Sequence, residues 1–154
     1  MLGSTVSTSV VVAIDGSASA VDAALWAVDE AVDRDVPLRF VYVIEPAGSD
    51  VADPQDIARR LATAEVAVRY AVTAGESSET AVKMEVEILR GAVVATLLEA
   101  SRGAALLCVG ARGLRHATAG RIGSTAAALA TSAHCPVALV RAHRAHRPGD
   151  RVVV

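Results

Sequence analysis

The sequence predicts an α/β fold built on a parallel, doubly wound sheet, and three features carry that expectation. Continuous apolar runs such as Ser9-Val10-Val11-Val12-Ala13-Ile14 lack polar alternation, which suits strands buried on both faces. Segments with one apolar helical stripe follow these runs in turn. Strand and helix alternate along the chain, which calls for right-handed crossovers and helices on both faces of the sheet.

Ser9–Ile14 is the first strand, broken by Asp15-Gly16-Ser17. Ser19 is suited to cap the helix that follows, with Asp22 three residues later completing a box-like start. In that helix Val21, Ala24, Leu25, Val28 and Val32 share a face, and Asp22, Asp29 and Asp33 lie away from it. Pro37 ends the connection, and Leu38–Ile44 gives a second buried strand. Glu45–Asp53 reads as a loop. Pro54 suits the first turn of a long helix that runs to about Ala74. Ala81–Leu89 alternates apolar residues with Lys83, Glu85 and Glu87, which marks a strand with one wet face at the sheet edge. Gly91–Arg102 reads as a short helix and Ala104–Val109 as the fourth strand. A long loop, Gly110–Gly123, leads to the helix Ser124–Ala133, with Ser124 placed to cap it. Pro136–Arg141 is the fifth strand.

With 154 residues, the chain has the length of one domain, expected over residues 1–141. Residues 142–154 read as a basic tail or as the start of a linker to a second repeat. Arg151-Val152-Val153-Val154 echoes Ser9-Val10-Val11-Val12, so this end suits a frayed tail, an edge strand for a partner chain, or the beginning of another copy. Hydrophobic residues at 53% and charged residues at 21% exclude intrinsic disorder. A net charge of −2 and aromatic content of 3% argue against nucleic-acid binding, which favours basic surfaces and stacking platforms. No charge-free apolar run is long enough for a membrane helix, and Met1–Ser9 lacks the pattern of a secretory signal. Cys108 and Cys135 suit a reducing compartment, so a cytoplasmic location is expected.

The chemistry concentrates at the ends of the first and fourth strands. In an open parallel sheet, ligands bind beyond the carboxyl ends where strand order reverses. Gly110 and Gly113 permit close backbone approach, and Gly123 stands beside a helix start whose N–H groups attract an anion. Ser124 and Thr125 add hydroxyls, and Arg112, Arg115, His116 and Arg121 add cationic groups. The pattern predicts an anion site. It is neither a Walker loop nor a Rossmann fingerprint, because G-x-x-x-x-G-K-[ST] and G-x-G-x-x-G are both missing. Asp15 alone would also serve as a turn cap, and His143 with His146 reads as part of a mobile basic tail. No paired carboxylates, zinc spacing or activated nucleophile occurs, so no catalytic residue and no metal site are expected.

The spacing Gly110-x2-Gly113-x9-Gly123-Ser124-Thr125 resembles the G-2x-G-9x-G-[ST] motif of ATP-binding universal stress proteins. Val11-Val12-Ala13-Ile14-Asp15-Gly16-Ser17 and His134-Cys135-Pro136-Val137-Ala138-Leu139-Val140 are similar to that family as well. The wording around Ala24–Ala31 and Val36-Pro37-Leu38 resembles the N-terminal domains of actinobacterial tandem members. The resemblance implies strand order 3-2-1-4-5 and an adenine nucleotide between strands 1 and 4. It places Ala13 and Asp15 at the adenosine and the backbone of Val43 at the adenine edge. It sets Gly110, Arg112 and Gly113 about the ribose and phosphates, with Gly123, Ser124 and Thr125 on the phosphates. The implied function is an ATP-dependent regulatory switch, with Mg²⁺ left open and slow hydrolysis at most. The implied assembly is a homodimer or an intramolecular tandem pair. A site for cyclic AMP, or a dimerisation module without nucleotide, is the alternative. A nucleotidyl-transferring or phosphohydrolase enzyme would need H-x-G-H or S-G-G-x-D-S, and neither is present.

Overall fold

The computed structural model describes residues 8–46, 53–77, 81–111, 123–141 and 151–153. Along the chain run β1 (Val10–Ile14), α1 (Ala18–Arg34), β2 (Leu38–Ile44), α2 (Pro54–Glu76) and β3 (Met84–Arg90). There follow α3 (Val93–Ala100), β4 (Leu106–Gly110), α4 (Ser124–Ser132), β5 (Val137–Val140) and β6 (Arg151–Val153). The strands form one sheet in the order β3-β2-β1-β4-β5-β6. From β3 to β5 all neighbours are parallel, in the predicted order, and β3 occupies the predicted edge. β6 was not part of the five-strand expectation. It runs antiparallel along β5 of its own chain, pairing Leu139 with Val152.

The crossovers distribute the helices two to a face. α1 and α2 cover the side addressed by Val10, Val12, Ile14, Leu38 and Phe40, where Trp26, Val28, Val68 and Ala71 complete the core. α3 and α4 cover the side addressed by Val11, Val41, Leu107 and Val109, together with Leu97, Ala126 and Leu129. Alternation of side chains along each strand produces this division. Four of the five β1 residues are buried, and Ala13 is the exception. It faces the α3–α4 side near the carboxyl end of the sheet.

Two helix starts differ from expectation. Ser17, not Ser19, caps α1: its extended backbone (φ −80°, ψ 156°) lets Oγ accept from the Ala20 N–H at 3.1 Å. The shift follows from Gly16, whose φ of +86° completes the turn out of β1 one residue earlier. Ser19 then falls in the first helical turn. At α4 the cap position is Gly123, and Ser124 is the first helical residue. α2 begins at Pro54 as expected, with Asp53 capping it by accepting from the Gln55 N–H at 3.0 Å.

Candidate functional site

A cavity of about 340 Å³ opens at the carboxyl ends of β1, β2 and β4, between α3 and α4. This is the switch point at which the chain, having finished the β1–β2–β3 half, returns to the other side of β1. Its floor is apolar: Ala13, Val41, Val43 and Val109 rise from the strands, and Val93 and Leu97 from successive turns of α3. Small Ala13 leaves depth where a larger residue would fill the space.

One side of the cavity is acidic. Asp15 follows β1 and is fixed by the turn it caps: Oδ1 accepts from the Ser17 N–H at 2.9 Å and from the Ser17 hydroxyl. Because Ser17 Oγ in turn accepts from Ala20, the carboxylate is tied to the start of α1. Burial raises the Tyr42 phenol above its ordinary pKa, and the Asp15 charge adds to that. Glu45, just past β2, supplies a second carboxylate to the lining.

The opposite side is a donor surface. Gly123, Ser124, Thr125 and Ala126 line it, and among the described residues no side chain caps the N-terminus of α4. The first bond inside this helix runs from the Ala127 N–H to the Gly123 carbonyl, so the preceding amides point out of its end. Gly123 is itself held by donating to the Ala111 carbonyl at 2.7 Å, which brings the two flanks of residues 112–122 together. The positive end of the helix dipole adds to the attraction for an anion.

Between the two sides stands Gly110, at the end of β4. A Cβ there would lie 2.5 Å from Ser19 Oγ and 2.6–2.7 Å from the Ser19 carbonyl carbon and oxygen. The first turn of α1 packs directly onto this backbone, so glycine at 110 allows β4 and α1 to meet beside the cavity.

The backbone of β2 also has a defined direction here. The Pro37 carbonyl accepts from Val10 of β1, and the Ile44 carbonyl accepts from Gly91 beyond β3. Since successive peptide groups address opposite edges, the odd-numbered residues of β2 face β1. Val43 therefore directs its carbonyl to the β1 side, one residue beyond the last pair, Ile14 with Tyr42.

Of the residues singled out in the sequence, Ala13, Asp15, Val43, Gly110, Gly123, Ser124 and Thr125 all line this cavity. Arg112 and Gly113, with Arg115, His116 and Arg121, lie outside the described residues. Glu45, Val93 and Leu97 were not singled out. The i, i+4 spacing of Val93 and Leu97 is a legible signal for one helix face. The position of Glu45 depends on how the chain leaves β2. Among the described residues, no group of three or more His, Cys, Asp or Glu side chains is arranged to hold a metal ion. None of the described helices is long and apolar enough to cross a membrane.

An open parallel sheet with helices on both faces and a cavity at its switch point defines a domain of the doubly wound α/β class. The model of the universal stress protein family matches residues 7–141, and the chain belongs to that family. A universal stress protein of Mycobacterium tuberculosis is 59% identical over 136 residues, covering 88% of this chain and 49% of its own length. The chain thus spans about half the length of the curated relatives it matches. Among solved structures, a universal stress protein in complex with cyclic AMP superposes with a TM-score of 0.68 at 22% identity. That match covers 90% of this chain and 99% of the other. One from Archaeoglobus fulgidus in complex with dAMP gives 0.61 at 22% identity, covering 84% and 94%. At that identity the likeness concerns the fold.

Proposed function

We propose that this domain binds ATP in the switch-point cavity and works as a nucleotide-dependent regulatory switch of the stress response, not as a dedicated enzyme. The observation that carries the reading is the polarity of the cavity. Its apolar floor accepts a flat base, its Asp15 carboxylate accepts a hydrogen bond from a ribose, and its α4 end donates to phosphates. In this arrangement Asp15 keeps Oδ1 in the turn and offers Oδ2 to a ribose hydroxyl. The Val43 carbonyl meets the adenine amine, and the amides of Ser124, Thr125 and Ala126 receive phosphate oxygens. Gly110 lets the ribose–phosphate junction pass close to β4, and Arg112 and Gly113 would extend the cradle. The carboxylates among the described lining residues stand on the side opposite the α4 end, away from the phosphates in this reading, and we expect turnover below about 1 s⁻¹, the low end of ordinary enzymes.

Asp15 offers a ribose its partner whatever the phosphate arrangement, so cyclic AMP is the second reading, favoured by the fold's likeness to a cyclic AMP complex. As a switch, the protein would pass nucleotide occupancy through residues 110–123 to β5, as a shift of population between two surfaces. A cytoplasmic homodimer or tandem pair, with residues 142–154 leading towards the second domain, completes the reading. In this chain β6 already lies on the outer edge of β5.

The test is calorimetric titration of stripped protein with ATP, ADP and cyclic AMP, beside a Ser124→Asp variant. Ser124 is exposed at the first turn of α4, where an added carboxylate favours the helix by about 0.3–1 kcal/mol. The same charge repels phosphate. ATP binding weakened about tenfold or more, which corresponds to 1.4 kcal/mol, in an equally stable variant is the expected result. No binding of any nucleotide by the parent protein defeats the proposal, and binding of cyclic AMP alone replaces it with the second reading.

A further inference from the structure

We infer that Glu45 selects the base: its carboxylate reads the exocyclic amine of adenine and rejects purines that carry a carbonyl at that position. The inference rests on the nucleotide reading above and adds a specificity-determining residue to it. Glu45 lies two residues past Val43, directly after the end of β2, and it lines the cavity. A cation stands next to it without neutralising it. Arg60 of α2 donates from Nη1 to the Glu45 carbonyl oxygen at 3.0 Å, and its Nε is taken by Asp56 at 2.8 Å. Asp56 also accepts from Arg59 at 2.7 Å. Among the described residues, no salt bridge reaches the Glu45 carboxylate. The guanidinium therefore fixes the backbone and leaves the acid as an acceptor at the mouth of the cavity.

An ionised carboxylate accepts hydrogen bonds and donates none. With Val43 two residues before it in the same lining, it gives this end of the cavity a second acceptor. Adenine presents an amine there, with two N–H donors. Hypoxanthine and guanine present a carbonyl oxygen, which would face both acceptors without a proton between them. A site built around a polar partner discriminates strongly against the analogue that cannot supply it.

The experiment compares ATP with ITP, which differs in the base alone, on the parent protein and on Glu45→Gln and Glu45→Ala variants. Because the Glu45 side chain is exposed and its tether to α2 is through the backbone, both variants should melt with the parent. The parent should prefer ATP by about tenfold or more, as expected for hydrogen bonds to a charged group. Glutamine can turn its amide to donate to the carbonyl, so Glu45→Gln should narrow the preference to within about threefold, chiefly by binding ITP better. Glu45→Ala should narrow it chiefly by binding ATP less well. An ATP preference unchanged in both variants overturns the inference and leaves the nucleotide reading intact. A parent protein that binds neither nucleotide overturns that reading instead.

Discussion

The two faces of the sheet are built to different ends. On the α1–α2 side the helices have 17 and 23 residues, and Trp26, Phe40 and Val28 are buried in a continuous core. On the other side α3 has 8 residues and α4 has 9, and they leave the carboxyl end of the sheet open over Ala13. Covering helices of unequal length thus give one face a closed core and leave a cavity in the other. The difference also shows how little sequence it takes to open a site: two short helices and an alanine in place of another valine.

Cutting into the closed face should therefore cost far more than trimming the floor of the cavity. Phe40 is fully buried, and Phe40→Ala should lower the unfolding free energy by about 3–5 kcal/mol in denaturant titrations. Val43 is partly exposed and the change removes only two carbons, so Val43→Ala should cost about 1–1.5 kcal/mol, the transfer free energy of those groups. Equal losses in the two variants would break the contrast between the faces.

The join between the faces at Gly110 sharpens it. Adding one methyl there drives it into the Ser19 carbonyl group, which is backbone and cannot rotate away. Gly110→Ala should cost about 1–3 kcal/mol by the usual scale of overpacking. Ser19→Ala in the same chain should recover little of it, because the hydroxyl is only one of three atoms in the way. Full recovery in the double variant would mean that the hydroxyl, and not the helix backbone, sets the fit.

The parallel sheet was legible because each strand carries its own burial signature: the unbroken valines of β1 demand cover on both faces, and the acidic alternation of β3 marks an edge. The cavity-lining glycines were legible by their spacing to a helix start. What escaped the sequence depended on a single backbone angle or on contacts between distant segments. Ser17 and Ser19 are equivalent caps until Gly16 turns with a positive φ. That Gly110 abuts Ser19 is a contact between residues more than ninety positions apart. Glu45 reads as the opening of a polar loop, and only the structure shows that it lines the cavity and that its backbone is tied to Arg60 of α2. The pairing of β6 was equally hidden, because a short valine-containing strand serves as well on a partner's edge as on its own.

The two cysteines give the mildest probe of the contrast. Cys108 is fully buried on β4, facing the closed side. Burial, followed by the charge of Glu30, raises its pKa well above the ordinary thiol value, with Arg34 opposing. Cys135, before β5, packs against the open-face core and is half-buried; burial raises its pKa too, while a backbone hydrogen bond from Leu107 opposes. A raised thiol pKa means that the unfolded chain gives up its proton first. Its contribution to stability is complete below about pH 8.5 and is lost as pH rises beyond it. Where the native thiol stays protonated, the limiting slope is about 1.4 kcal/mol per pH unit for each such thiol. Urea titrations at pH 8 and pH 10 should show stability falling, and Cys108→Ala should flatten the dependence more than Cys135→Ala does. With a thiol reagent at pH 8, Cys135 should be modified in the folded protein and Cys108 only at the rate of unfolding. Modification of both at one rate would mean that the closed face opens as readily as the face with the cavity.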